Sequence, residues 1–468
     1  MMADLAELTG AFSGRVLDDP SDMEPFLVDW RHLWRGEALA VVQPDSAQDV
    51  ATVVRWCAAN SVPIVPQGGN TGMSGGATPD PASGAIILSL ARMNRIRAID
   101  PVNNVAIVDA GCILQTLQEA ADAQDRYFPL SLGAEGSCTI GGNLATNAGG
   151  TAVLRYGTTR ELCLGLEVVT AQGAVWDGLR GLRKDNSGYD LRDLYIGSEG
   201  TLGIITGAVM RLFPKPAGSV TSLAAVSSIE AAVALFDRGR AMLDTALTAF
   251  EFLSADCLQM VLDHRTGMRS PLETITDWLV LVEVSDPRSE ESARAALEQF
   301  LGDAFEAEEV VDATIAESVA QSRSLWELRE GISEAQSAIG KTIKHDIAVP
   351  ISSVPAFIAQ THAAIAEQWP DMRFVTFGHL GDGNIHYNFS PVVGADQPAF
   401  YARQDAVNRI VHDIVAAYGG TVSAEHGLGQ LRVQEAARFK SPVELDLQRR
   451  IKAALDPQGL MNPGKLLP

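Results

Sequence analysis

The alternation of apolar and polar residues divides the first half of the chain into short strands and amphipathic helices. VPIVP, AIILSL and NVAIVDAG are apolar runs typical of buried strands, whereas Val50, Val54 and Cys57 recur at helical spacing. Residues 46–49 (SAQD) resemble a capping box at the start of that helix. A second helix is predicted over ILQTLQEAADAQ, and GLEVVTAQGAVWD predicts a hairpin that turns at Gln172-Gly173.

The pattern restarts after RLFPKPAG, whose two prolines indicate a domain boundary near residues 213–218. Helices are predicted from about Ile229 to Met242 and from Ser289 to Leu301, and the apolar strands TAFEFL and WLVLVEVS lie between them. ATIAESVAQSRSLWELREGISEAQSAIG is predicted to be helical and TIKHDIAVP to be a strand, and residues 443–455 are predicted to form the last helix. This order indicates an α+β fold with antiparallel character in the second half.

Composition and charge limit the classes of function. The chain has 468 residues, enough for two or three domains with buried cores. A net charge of -22 argues against nucleic acid or an anionic membrane as partner, and any anionic substrate would need a locally cationic pocket. No apolar run is long enough for a membrane span, and MMADLAELTGAFSG lacks the features of a signal or transit segment. The five cysteines include no C-x-x-C pair, so a reducing, cytoplasmic location is expected.

Two histidines, His379 and His386, flank a Gly-Asp-Gly turn in FGHLGDGNIHYN, and Glu425-His426 follow in GGTVSAEHGLG. Each turn glycine would cost a helix about 1 kcal/mol, and a straight strand would place the histidines on opposite faces. A hairpin turning at Asp382-Gly383 would bring both imidazoles together, with His386 and Asn388 on one polar face. Two imidazoles and a carboxylate suit a Zn²⁺-type ion with an open coordination position. The alternative is a hairpin whose histidines have protein partners and bind no metal.

Two glycine-rich stretches dominate the first half: PQGGNTGMSGG over residues 66–76 and GSCTIGGNLATNAGG over residues 136–150. Neither has the spacing of a Rossmann or P-loop motif. Glycines interspersed with Thr, Ser and Asn nevertheless let backbone N–H groups approach a phosphate, so a nucleotide cradle is predicted, with two tight turns as the alternative. Backbone groups of a third segment, residues 185–207, could bond the edge of a flat heterocycle, although by itself it is typical of a strand after a turn.

Several motifs occur in a fixed order from about residue 35 to the C-terminus: the two glycine-rich stretches, RYGT, KDNSGYDL, GSEGTLGIIT, GHLGDGNIH, AEHGLG and NPGKLL. In these motifs the chain resembles the FAD-linked 2-hydroxy-acid dehydrogenases of the vanillyl-alcohol oxidase/p-cresol methylhydroxylase superfamily, most closely those that act on D-2-hydroxyglutarate. The resemblance implies a two-part FAD-binding domain of the p-cresol methylhydroxylase type over residues 1–215. It further implies an antiparallel-sheet substrate (cap) domain over residues 216–426 and a helical C-terminal segment, 427–468, that returns to the flavin.

The resemblance also implies the residues that bind FAD. They are Pro66, Gly68, Gly69, Asn70, Thr71, Gly72, Gly136, Ser137, Thr139, Gly142, Asn143, Asn147, Gly149, Gly200, Ile205 and Asn462. Covalent members of the superfamily have a histidine where this chain has Asn70, so FAD is expected to be bound non-covalently.

The same resemblance implies a substrate site in the second half. The metal ligands would be His379, His386 and Glu425, with a divalent ion, most simply Zn²⁺, and His426 would be the catalytic base. The substrate would contact Arg329, Ser333, Lys344 and Asn388; Ser333 departs from the Thr that is usual in the family but keeps the hydroxyl.

The expected reaction is oxidation of a D-2-hydroxy acid, foremost D-2-hydroxyglutarate, to the 2-oxo acid. The metal would acidify the hydroxyl, the base would take its proton, and the hydride would pass to the flavin. D-lactate and glycolate are alternative substrates, and a zinc hydrolase or a non-catalytic flavin-binding module are alternative functions. An electron-transfer flavoprotein, a quinone or a cytochrome would accept the electrons, and the resemblance suggests a homodimer.

Overall fold

The computed structural model describes residues 5–392 and 394–468 and divides into two compact units. The first unit comprises Met1–Gly150, Gly157–Lys215 and Glu425–Pro468, and the second comprises Thr151–Tyr156 and Pro216–Ala424. The break after Lys215 lies within RLFPKPAG. Residues 151–156 thus fall in the second unit and residues 425–426 in the first. The domain bounds 1–215, 216–426 and 427–468 stay a prediction.

A four-stranded mixed sheet forms one part of the first unit. In spatial order its strands are Arg15–Leu17, Val41–Gln43, Ile86–Ser89 and Ile64–Gln67, the first pair antiparallel and the others parallel. The helix Ala47–Asn60 precedes the strand Ile64–Gln67 and buries Val50, Val54 and Cys57. Its N-terminus is as predicted, since the Ser46 hydroxyl accepts the N–H of Asp49 at 3.1 Å.

An antiparallel five-stranded sheet forms the other part of the first unit. In spatial order its strands are Ile96–Asp100, Val105–Asp109, Gly203–Arg211, Cys163–Thr170 and Val175–Gly178. The hairpin predicted at Gln172-Gly173 is confirmed: Gly173 has a φ of +74°, and its N–H donates to the carbonyl of Thr170 at 2.8 Å. A separate small ribbon pairs Arg126–Tyr127 with Phe213–Pro214.

The remaining helices of the first unit include the two that the sequence predicted near residues 113–124 and 443–455. They are Leu5–Ala11, Pro20–Leu27, Leu114–Asp122, Ile140–Thr146, Thr159–Leu162, Leu191–Tyr195, Val433–Phe439 and Pro442–Leu455. The C-terminal tail then joins the first sheet. The N–H of Ile64 donates to the carbonyl of Leu460 at 2.9 Å, and the N–H of Asn462 donates to the carbonyl of Ile64 at 2.8 Å.

The second unit is built on one seven-stranded antiparallel sheet. In spatial order its strands are Val310–Ile315, Gly218–Val226, Trp278–Asp286, Leu247–Ser254, Met372–His379, Asn384–Pro391 and Ile347–Ala348. Its helices are Val153–Tyr156, Ile229–Leu243, Ala255–His264, Glu290–Glu306, Val319–Ile339, Val354–Gln368, Gln397–Tyr401 and Gln404–Ala417. Successive side chains Phe252 and Leu253 enter two different apolar clusters, so both faces of the sheet are buried.

The segment 151–156 also contacts the rest of the second unit through its side chains. Leu154 packs against the apolar cluster that contains Phe252, and Arg155 donates to the carbonyl of Ser285 at 3.2 Å. These contacts are made by side chains from distant parts of the sequence, which the hydrophobic pattern cannot relate.

The predicted bounds of one helix and one strand of the second unit are wrong. The stretch predicted to be helical from Ala313 begins as the edge strand Val310–Ile315, and the helix starts only at Val319. β-Branched residues in that strand favour the pleated conformation. In TIKHDIAVP only Ile347–Ala348 is a strand, because the N–H of His345 bonds the side-chain oxygen of Asn388, at 2.9 Å, instead of a strand carbonyl.

Among the residues described, no helix is both long and apolar enough to cross a membrane. The five cysteines are all buried and all are free thiols.

The turn between His379 and His386 should depend on Gly383. This glycine has a φ of +77°, and a β-carbon there would stand 2.2 Å from the carbonyl oxygen of Val349. Gly383→Ala is expected to destabilise the second unit by roughly 2 to 5 kcal/mol, from left-handed strain plus overpacking. Gly267→Ala is the matched control, since its φ is +93° and, beyond its chain neighbours, none of the residues that the structure describes lies within 4 Å of the added β-carbon. Equal losses in chemical denaturation of the two variants would contradict the close contact.

Candidate functional site

His379 and His386 lie on neighbouring strands of the second unit. The strand Met372–His379 pairs antiparallel with Asn384–Pro391, and a short 3₁₀ turn, Leu380–Asp382, joins them, which confirms the predicted strand-turn-strand. His386 is opposite Phe377, two residues before His379, so both imidazoles project from one face. Their ring centroids are 5.6 Å apart, and a nitrogen of each ring lies within 4.8 Å of one of the other.

Glu251 is the partner of His379 on the next strand. The register places Glu251 directly opposite His379, so both side chains share a face. An oxygen of the Glu251 carboxylate lies 2.7 Å from Nδ1 of His379, and Glu251 is only 1% exposed. The sequence interpretation did not include this residue. Its only signal was a lone acidic residue inside the apolar strand TAFEFL.

Arg329, predicted to contact the substrate, is buried against the same carboxylate. Its Nε donates to the second oxygen of Glu251 at 3.0 Å, and one terminal nitrogen lies 2.7 Å from that oxygen. The guanidinium also stands over the ring of Phe377, 4.7 Å from the ring centroid. Burial by itself raises the pKa of the Glu251 carboxyl, but the charges and hydrogen bonds of His379 and Arg329 hold that pKa below its usual value.

The other predicted substrate residues have different environments. Asn388 is buried, and its amide accepts from the N–H of His345 at 2.9 Å and donates to the side-chain oxygen of Gln336 at 3.1 Å. Lys344 is half-buried, beside His345 in the chain, whereas Ser333 is exposed on the helix Val319–Ile339. Their part in substrate binding stays a prediction.

A cleft of about 150 Å³ lies in the first unit. Both glycine-rich stretches line it. The predicted cofactor residues on its wall are Pro66, Gly68, Gly69, Asn70, Thr71, Gly72, Thr139, Gly142, Asn143, Gly200 and Ile205. Those that are not on its wall are Gly136, Ser137, Asn147, Gly149 and Asn462.

Close backbone packing explains why the two stretches are rich in glycine. A β-carbon on Gly69 would stand 2.0 Å from the carbonyl oxygen of Ser137, so only glycine lets the stretches meet. Gly72, in contrast, lines the cleft, and apart from its chain neighbours no atom of the described residues lies within 4 Å of where a β-carbon would be. A side chain at Gly72 would therefore occupy space that the cleft leaves for a ligand.

Glu199, in GSEGT, is a buried carboxylate on the wall of the cleft that sequence reasoning missed. Its two oxygens accept the N–H groups of Leu428 and Gly429, each at 2.8 Å. Burial raises the pKa of the Glu199 carboxyl, while these two hydrogen bonds act in the opposite direction. Asn462 donates to the carbonyls of Glu199, at 2.7 Å, and of Gly76, at 3.0 Å, so the tail supports the wall without lining it.

His426 also lines this cleft. The segment after it is held by Glu199, through the two N–H groups above, and by Ser74, whose hydroxyl donates to the carbonyl of Gly427 at 3.0 Å. Nε2 of His426 lies 3.6 Å from the carboxylate of Glu425. The predicted base thus stands on the wall formed by the predicted cofactor loops.

Two family models match the chain. The model described as FAD binding domain matches residues 38–178, and the model described as FAD linked oxidases, C-terminal domain, matches residues 215–466. A solved structure of alkyldihydroxyacetonephosphate synthase has a TM-score of 0.77 at 17% identity, covering 98% of this chain and 84% of that one. For p-cresol methylhydroxylase with substrate bound, the TM-score is 0.76 at 18% identity, covering 100% and 97%. These likenesses concern the fold alone, and they confirm the expected p-cresol methylhydroxylase type.

Two relatives are similar along almost the whole chain. The D-2-hydroxyglutarate dehydrogenase of Xanthomonas citri pv. viticola is 41% identical over 454 residues, which cover 97% of this chain and 94% of the relative. The mitochondrial D-2-hydroxyglutarate dehydrogenase of Bos taurus is 40% identical over 466 residues, covering 99% and 83%. The chain therefore belongs to the family of FAD-linked oxidases that includes the D-2-hydroxyglutarate dehydrogenases.

Proposed function

We propose that the protein is a FAD-dependent dehydrogenase that oxidises a D-2-hydroxy acid, foremost D-2-hydroxyglutarate, to the 2-oxo acid with the help of a divalent metal. The observation that carries the proposal is the position of His426 on the wall of the glycine-lined cleft. A neutral histidine can accept the proton of a substrate hydroxyl. The zinc-hydrolase alternative leaves this cleft without a role.

The residues of the cleft fit FAD. The glycine-rich walls and the open space beside Gly72 suit the close approach of a pyrophosphate to the backbone. Asn70 donates through its side-chain amide to the carbonyl of Val28 at 2.8 Å, and an amide is not a nucleophile that would form a covalent flavin bond. Non-covalent binding is accordingly part of the proposal.

The paired histidines fit a divalent metal, with Glu425 proposed as the third ligand from its motif. Nδ1 of His379 is bonded to Glu251, as is usual for a histidine that coordinates a metal through its other nitrogen, so Nε2 is proposed as the coordinating atom. Two imidazoles and one carboxylate favour Zn²⁺ over Mg²⁺ or Ca²⁺, which prefer oxygen ligands.

Each group then has a defined part in the reaction. Bound FAD supplies a hydride acceptor, and a bound divalent ion supplies a Lewis acid for the hydroxyl oxygen. His426 takes the hydroxyl proton. Arg329 and Lys344 supply positive charge for the substrate carboxylates in a chain whose net charge is -22. Ser333 and Asn388 are proposed as further polar contacts.

Partners and location are proposed from the resemblance. The electron acceptor would be an electron-transfer flavoprotein, a quinone or a cytochrome, and the assembly a homodimer. We also propose a cytoplasmic location, although the bovine and Arabidopsis thaliana relatives are named as mitochondrial.

Anaerobic bleaching of the bound flavin tests the substrate and the reaction together. We expect D-2-hydroxyglutarate to bleach the flavin at lower concentration than D-lactate or glycolate, because Arg329 and Lys344 can bind its two carboxylates. L-2-Hydroxyglutarate held by the same groups would direct its α-hydrogen away from the flavin, so it should be ineffective. If D-lactate is preferred, the substrate assignment is wrong. If no hydroxy acid bleaches the flavin, the proposed function is wrong.

The base assignment predicts a specific loss in His426→Ala. Turnover should fall by roughly 10²- to 10⁴-fold, the usual contribution of a general base, while the variant still binds FAD. Stopped-flow reduction of the flavin measures the step directly. His264→Ala, at an exposed helix end, is the control and should reduce at the normal rate. Near-normal reduction in His426→Ala would refute the assignment.

The proposed metal site predicts that flavin reduction depends on a divalent ion. Chelation should abolish flavin reduction by the hydroxy acid, and Zn²⁺, Mn²⁺ or Co²⁺ should restore it. His379→Ala and His386→Ala should lose bound metal, whereas His362→Ala, an exposed histidine of the same unit, should keep it. Full activity in a preparation shown by elemental analysis to be metal-free would exclude a metal role.

A further inference from the structure

We propose that Glu251 is a positioning residue that fixes both a metal ligand, His379, and a substrate anchor, Arg329. This inference rests on the proposed function and deepens it. The two carboxylate oxygens are divided between the two partners: one lies 2.7 Å from Nδ1 of His379, and the other accepts from Nε of Arg329 at 3.0 Å. All three residues belong to the second unit.

The bond to His379 selects one tautomer of the imidazole. A carboxylate only accepts hydrogen bonds, so Nδ1 must carry the proton. In the neutral imidazole the lone pair is then on Nε2, the nitrogen that can coordinate a metal. The antiparallel register holds Glu251 opposite His379, and it thereby fixes the plane and direction of the ring as well as the tautomer.

The bond to Arg329 restricts the guanidinium in the same way. Nε and one terminal nitrogen are directed at Glu251, and the ring of Phe377 packs on the guanidinium. The second terminal nitrogen donates no hydrogen bond within residues 5–392 and 394–468, and it is therefore the one left to contact a substrate carboxylate. Glu251 thus sets the distance between the Arg329 guanidinium and His379. The two ends of a bound hydroxy acid would have to match that distance.

A neighbouring carboxylate supplies the matched control. Glu283 lies on the adjacent strand, Trp278–Asp286, and accepts from Nε1 of Trp326 at 2.9 Å and from the hydroxyl of Thr221 at 3.4 Å. The Ser219 hydroxyl bonds it too, so its hydrogen-bond partners are an indole and two hydroxyls in place of an imidazole and a guanidinium. Glu251→Gln and Glu283→Gln therefore make the same chemical change on adjacent strands of one sheet, and only Glu251 is bonded to a metal ligand.

The test is the affinity of the FAD-loaded, chelator-stripped protein for Zn²⁺ and Co²⁺, measured by calorimetry. Glu251→Gln is expected to weaken binding roughly 10- to 100-fold, as loss of a carboxylate behind a ligating histidine typically does. The absorption spectrum of bound Co²⁺ should change as well, because an amide oxygen accepts from Nδ1 more weakly than a carboxylate and holds the histidine less firmly. Glu283→Gln should bind both ions as the wild type does. Unchanged metal affinity and an unchanged Co²⁺ spectrum in Glu251→Gln would overturn the inference.

A double variant separates positioning from simple loss of stability. Glu251→Gln leaves the Arg329 charge buried without its carboxylate, so the melting temperature should fall. Combining it with Arg329→Met removes that charge and should restore the melting temperature, while metal affinity stays low. Recovery of wild-type affinity in the double variant would show that the unpaired arginine was the cause and would overturn the positioning role. Metal binding by the wild type tests the proposed function separately. If the wild type binds no metal, both the metal assignment and this inference are wrong. If the wild type binds metal and Glu251→Gln binds it equally well, only the inference is wrong.

Discussion

The candidate substrate site of the second unit depends on one buried carboxylate shared between an imidazole and a guanidinium. Glu251 would be costly to bury alone, and Arg329 would be equally costly without a counter-charge. In the ion pair each neutralises the charge of the other, and the second oxygen of Glu251 bonds Nδ1 of His379. The pairing requires the strand register, since a shift of one residue would turn Glu251 to the other face. The sheet therefore specifies the side-chain geometry of the site, and the Gly383 turn maintains the register of the hairpin.

The first unit uses a second buried carboxylate in a similar way. Glu199 accepts two backbone N–H groups from the segment that follows His426, and its own carbonyl accepts from Asn462. In both units the acidic residue holds other groups in place. Glu251 holds His379, the proposed metal ligand, and Glu199 holds the segment that follows His426, the proposed base. Replacing either carboxylate with an amide would keep the size of the side chain but would hold its hydrogen-bond partners less firmly in their orientation.

Local patterns predicted much of the fold, and they failed where distant residues decide the structure. The Ser46 cap, the turn at Gln172-Gly173 and the histidine hairpin follow from residues a few positions apart. The cofactor and metal candidates came from motif resemblance. Glu251 could not be predicted, because its partner His379 is 128 residues away and only the sheet register relates them. The strand Val310–Ile315 was missed for the same reason, as it is fixed by pairing with Gly218–Val226.

Anomalous diffraction from crystals of the FAD-loaded protein with Co²⁺ or Zn²⁺ would test the central claim most directly, because it locates the ion and the orientation of each ring. A peak is expected about 2.0–2.1 Å from Nε2 of His379, and equally close to a nitrogen of His386. Nδ1 of His379 should remain bonded to Glu251. A peak on Nδ1 of His379, or no peak at the two histidines, would contradict the account.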